Sequence, residues 1–141
     1  METVKAVRIG RALAEADLIV IGASNGLDMA EGLNLFCGDA HFWATYGDLA
    51  HPDALAMAQL EELERLVRTH RNDRVAILEL GVGLRNGVIK HMLAQIANAC
   101  EHATYIVFNY SQAMAPDASC ETILVEGDMA PAFEEIARCR L

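Results

Sequence analysis

Positive charge is scarce in this sequence. Its 11 lysines and arginines stand against 20 aspartates and glutamates, a formal net charge of −9. Binding to a phosphate backbone or an anionic bilayer draws on clustered Lys and Arg, so nucleic acid and membrane surfaces are excluded as partners. No apolar stretch approaches the ~20 residues of a membrane span. The opening METVKAVRIGRALAEAD has the apolar spacing of an amphipathic helix and not the layout of a signal peptide, which points to a cytoplasmic protein. The 4 cysteines, Cys37, Cys100, Cys120 and Cys139, form no C-x-x-C pair. Neither a structural zinc site nor a dithiol redox motif is signalled, and buried free thiols are expected. Internal repeats and low-complexity tracts are also missing.

What is present is apolar. Hydrophobic residues make up 53% of the 141 positions and charged residues 22%, the composition of a globular chain. That length suits one domain, 1–141, with a proper core. The apolar fraction is high for so small a monomer and hints at a partner surface.

Val4, Val7, Ile9, Leu13 and Ala14 recur at helical spacing and predict a helix over 3–16. Asp17–Ile21 is a continuous apolar run, expected to be a parallel strand covered on both faces. A helix is expected from Asp28 to about Phe36, with Asp28-x-x-Glu31 as a capping box, and the stretch Gly38–Leu49 has no clear period. His51-Pro52-Asp53 opens a helix over 53–71. Strands are predicted at Arg74–Leu80, Thr104–Phe108 and Thr122–Val125, with helices over 87–100 and 128–139. Strands alternating with helices imply crossover units and a central parallel sheet in a three-layer α/β/α domain.

Each of the four strands ends in glycine or a small polar residue. The ends are Gly22-Ala23-Ser24, Gly81-Val82-Gly83, Asn109 and Gly127-Asp128. In an open parallel sheet these ends share one crevice, where ligands bind. Small residues admit a ligand close to the backbone, and helix N-termini there offer N–H groups to a diphosphate. Tight turns into helices would use the same glycines; their recurrence on one edge favours the nucleotide-type crevice.

The first of these loops, Ser24-Asn25-Gly26-Leu27-Asp28 followed by Met29-Ala30-Glu31-Gly32, resembles the NAD-binding loop of the sirtuins, with Gly26 and Gly32 at matching positions. Leu78-Glu79-Leu80-Gly81-Val82-Gly83-Leu84 resembles the strand and loop of the macrodomain-associated bacterial members. Val107-Phe108-Asn109 resembles the family's I-N strand end, and Leu124-Val125-Glu126-Gly127-Asp128 its closing V-x-G-D segment. The likeness runs over roughly 17–38 and 75–140.

This resemblance implies a sirtuin-type Rossmann-like NAD/FAD-binding fold and a site for NAD or ADP-ribose. Its binding residues would be Gly22, Ala23, Ser24, Asn25, Gly26, Gly81, Val82, Gly83, Asn109, Gly127 and Asp128, with Asn109 on the adenine-side ribose. It also implies NAD-dependent transferase chemistry, but the deacetylase residues are missing. The pocket Asp of the family aligns with Leu35 and its Arg with Cys37. Asp39–Arg74 is too short for the zinc module, so no zinc is expected. No catalytic residue is assigned: His41 and His51 are the only candidates for a relocated base, and Asp39-x-His41 lacks a third metal ligand. Asp28 and Glu31, where a diphosphate would lie, would oppose it by ~1–3 kcal/mol, and Arg85 would offset part of that. The expected protein is a sirtuin-like NAD or ADP-ribose binding domain, with ADP-ribosyl transfer or NAD hydrolysis as the activity left open to it. The alternative is a non-catalytic oligomeric binding or regulatory module of the same fold, with the crevice empty or holding another nucleotide; a protein partner is left open in either case. A homodimer is expected, burying Phe36, Phe42, Trp43 and Tyr46.

Overall fold

Four apolar runs pair into one sheet, and helices between and outside them cover its faces. The computed structural model describes residues 1–23, 52–83 and 87–139, with 52–60 as backbone alone. In chain order the elements are α1 (Thr3–Ala14), β1 (Leu18–Ala23), α2 (Pro52–Thr69), β2 (Arg74–Leu80), α3 (Gly87–Ala99), β3 (His102–Asn109), β4 (Glu121–Glu126) and α4 (Met129–Arg138). The strands lie in the order β1-β2-β3-β4, every neighbouring pair parallel. This is the expected α/β arrangement with a parallel sheet flanked by helices. The order is monotonic, as in one half of a doubly wound sheet. Among the described residues no helix is long and apolar enough to cross a membrane. The expected helix from Asp28 and the aromatic residues of 36–46 lie outside the described residues.

Side chains alternate across β2 and β3 and feed two cores. Val75 and Ile77, with Tyr105 and Val107, face α2 and α3, where Val67, Leu93, Ile96 and Ala97 meet them. Ala76, Leu78 and Leu80, with Ile106 and Phe108, face α1 and α4, where Ile9, Ala132 and Ile136 close the layer. Because both faces are covered, each inner strand reads as a nearly continuous apolar run, interrupted in β2 by the buried Glu79. Phe108 stacks on Phe133 of α4 with ring centroids 4.9 Å apart. Crossovers that step the same way across a sheet lie on one face when right-handed, and α2 and α3 do share one.

β1 departs from the sequence reading. It is an edge of the described sheet and is not covered on both faces: Val20 is buried against α3, whereas Ile19 and Ile21 are 45% and 61% exposed. The reason is the pairing of α1 with α4, which lie over β2, β3 and β4 and leave this face of β1 bare of described elements. The strand is also longer than expected, since Gly22 and Ala23 continue the ladder opposite Glu79 and Leu80. β3 likewise extends back to His102 and forward to Asn109, which pairs with Glu126.

Candidate functional site

The carboxyl ends of four parallel strands necessarily lie on one edge, and the glycine-bearing turns collect there. Gly81 leaves β2 with φ +64° and Gly127 leaves β4 with φ +114°, conformations that a Cβ penalises. The Gly81 N–H donates to the Phe108 carbonyl at 2.9 Å, and the Gly127 N–H donates to the Asn109 carbonyl at 3.0 Å. Each turn is thus tied to the neighbouring strand. Val82 is fully buried between them.

Asn109 binds protein as well as facing the edge. Its Nδ2 donates to the Val82 carbonyl at 3.0 Å, and its Oδ1 accepts from the Ser111 N–H at 3.4 Å. The side chain therefore sets the β2–α3 turn against the chain leaving β3. Asp128 accepts from the Ala130 N–H at 3.1 Å and caps α4. Glu126 Oε1 accepts from the Ala113 N–H at 3.2 Å, anchoring the chain between β3 and β4. Gly22 has a packing reason for being small: a Cβ there would lie 2.6 Å from Leu93 Cδ1 of α3. Gly83 shows none among the described residues, where a Cβ would meet nothing within 4 Å, and the residue is exposed.

The structure brings Ala23, Gly81, Val82, Gly83, Asn109, Gly127 and Asp128 to one edge, with Gly22 one residue inside it. α3 starts on this edge, so its electropositive end faces the same space. Ser24, Asn25 and Gly26 lie outside the described residues, as do Asp28, Glu31, Leu35, Cys37, His41, His51 and Arg85. Cys100 is buried and Cys120 half-buried, and burial pushes both thiols up from their ordinary range. Among the described residues no group of three or more His, Cys, Asp and Glu is placed to hold a metal ion.

One polar cluster escaped the sequence reading. Glu79 of β2 and Lys90 of α3 form an ion pair, with the Glu79 side chain wholly buried and that of Lys90 7% exposed. Tyr105 of β3, also buried, donates its hydroxyl to the second carboxylate oxygen of Glu79. Lys90 Nζ donates further to the Met114 carbonyl at 2.8 Å. Both carboxylate oxygens are thereby satisfied, as buried charges require. Burial, reinforced by the hydrogen bond and charge of Glu79, holds the Tyr105 hydroxyl protonated far above the ordinary tyrosine range. The cluster joins β2, β3, α3 and the connection to β4. A signal for it existed: Lys90 falls on the face of α3 that carries Leu93, Ala94 and Ala97, an inward position for a lysine.

No protein-family model matches the chain, and neither a curated protein nor a solved structure matches it.

Proposed function

We propose that the carboxyl edge binds NAD or ADP-ribose and that the chain is a sirtuin-like nucleotide-binding domain without lysine deacetylase activity. The observation that carries this reading is the convergence of Gly81–Gly83, Asn109 and Gly127 from three adjacent strands onto one edge, beside the start of α3. Turns clamped by Asn109 keep small residues at the surface, so a dinucleotide could lie against backbone instead of side chains. The sequence likeness to the sirtuin loops names the nucleotide. The absent family residues argue against deacylation, because loss of a positioned base typically costs ~10²–10⁴ in rate. ADP-ribosyl transfer or NAD hydrolysis is the chemistry such a site would retain.

Gly83→Val tests the site cleanly. Its side chain would enter open space at the edge without touching the core, so folding should be unchanged while the ligand is blocked. Calorimetry should show weak binding of NAD or ADP-ribose by the wild type and none by Gly83→Val. Equal affinity in both would place the ligand elsewhere, and efficient NAD-dependent deacetylation by the purified chain would overturn the functional reading.

The exposed Ile19 and Ile21 favour a second reading, an oligomeric binding or regulatory module in which a second subunit or another protein covers β1. Light scattering separates the two: a dimer that binds no nucleotide supports the module, and a nucleotide-binding monomer removes it.

A further inference from the structure

At the opposite edge of the sheet, a groove of about 640 Å³ runs between α1 and the amino ends of β2, β3 and β4. Two ion pairs span it. Arg8 of α1 reaches Glu121 at the start of β4, and Arg74 at the start of β2 reaches Glu15 at 2.6 Å. Arg11, one turn along α1 from Arg8, lines the same wall and pairs with no carboxylate among the described residues. The groove therefore holds three guanidinium groups against two carboxylates, in a chain whose net charge is −9. The apolar part of the lining is on α1, in Val4, Val7 and Ala12, while the strands add His102 and Thr104; the side chains of Val75 and Ala103 belong to the core on the opposite face of the sheet.

We propose that this groove binds a small organic monoanion, a carboxylate on a short apolar body. The volume falls within the ~300–1,000 Å³ of small-molecule sites. A guanidinium fork matches a carboxylate in shape and charge, and Arg11 offers one that no described carboxylate engages. A single negative charge neutralises the excess, whereas a phosphate dianion would overshoot it. The apolar wall of α1 takes the hydrocarbon and sets the ligand apart from inorganic anions. The site is independent of the nucleotide crevice, which lies at the other ends of the same strands.

The test is a titration of ¹⁵N-labelled protein with sodium hexanoate, followed by amide shifts and calorimetry, with hexylammonium and inorganic phosphate as controls. Hexanoate should saturate with a dissociation constant of about millimolar or tighter, shifting amides of α1 and of residues 102–104. The controls should leave those amides in place. Arg11→Met, exposed and helix-compatible, should keep the wild-type circular dichroism and weaken hexanoate about tenfold. Glu121→Gln raises the positive excess and releases Arg8, so it should tighten hexanoate. No saturable shift at about 10 mM hexanoate, equal affinity in Arg11→Met, weaker binding in Glu121→Gln, or an equal response to hexylammonium or phosphate would each overturn the proposal.

Discussion

Lys90→Met is the most informative single change in this chain. It preserves most of the side chain's volume and its helix propensity, and removes only the charge. Glu79 is then left wholly buried with Tyr105 as its one remaining described donor. Stripping one partner from a buried ion pair costs ~3–5 kcal/mol, because the surviving charge has lost its counterion and cannot reach water. The Met114 carbonyl also loses a donor, but Met114 is 50% exposed, so water can replace it at little cost. Against a total stability of ~5–15 kcal/mol for a domain, the loss is large. With a urea m-value of ~2 kcal/mol/M, the midpoint should fall by ~1.5–2.5 M. Replacing the whole cluster, as Glu79→Leu, Lys90→Met and Tyr105→Phe together, removes the stranded groups and should recover most of that stability. Urea unfolding followed by circular dichroism on the single and triple variants measures both effects. A Lys90→Met midpoint within ~0.5 M of wild type would refute the argument, since it would mean that Glu79 is solvated or neutral. A triple variant no better than the single one would show that the cluster contributes more than its charges.

The same cluster makes stability fall in alkali. The Tyr105 hydroxyl has a folded pKa raised above its ordinary 10.0, so the unfolded chain releases a proton that the native chain retains. The contribution is complete below pH 10 and is lost progressively above it; in Tyr105→Phe that part of the decline should vanish. Phenolate absorbance should show one of the 3 tyrosines ionising only as the protein unfolds. Gly22→Ala should destabilise by ~1–3 kcal/mol, because its Cβ enters the space of the buried Leu93. Leu93→Ala in the same molecule should soften that penalty. Independent, additive effects in thermal melts would mean that Gly22 is small for another reason.

The strands were legible because a parallel strand covered on both sides carries apolar residues at nearly every position. Arg74–Leu80 announces itself through Val75, Ala76, Ile77, Leu78 and Leu80 without reference to any partner. The helices were legible from the recurrence of apolar residues every third or fourth position, as in α1. Alternation of the two kinds of segment implies crossovers, and crossovers imply a parallel sheet with its strand ends on one edge. That reasoning also gathered Gly81, Asn109 and Gly127, since the end of a strand is a local property.

Neighbourhood is not local, and there the sequence stopped. An apolar run shows that a segment is buried, but not how many of its faces are; Asp17–Ile21 looked covered on both faces, whereas among the described residues β1 is an edge strand with Ile19 and Ile21 exposed. Smallness at Gly22 reads equally as room for a ligand or room for a helix, and only the seat of Leu93 shows which atom comes near. Glu79, Lys90 and Tyr105 lie 11 and 26 residues apart in the pairs they form. Their meeting depends on β3 lying beside β2 and on the rotation of α3 that turns Lys90 inward. Arg8 and Glu121, 113 residues apart, face each other only because α1 packs back across the amino ends of the strands. Periodicity along the chain determined the elements, their order and the edge where the small residues collect. Which side chains share a low-dielectric space was decided by packing alone, because side-chain burial and charge pairing belong to pairs of surfaces and not to single segments.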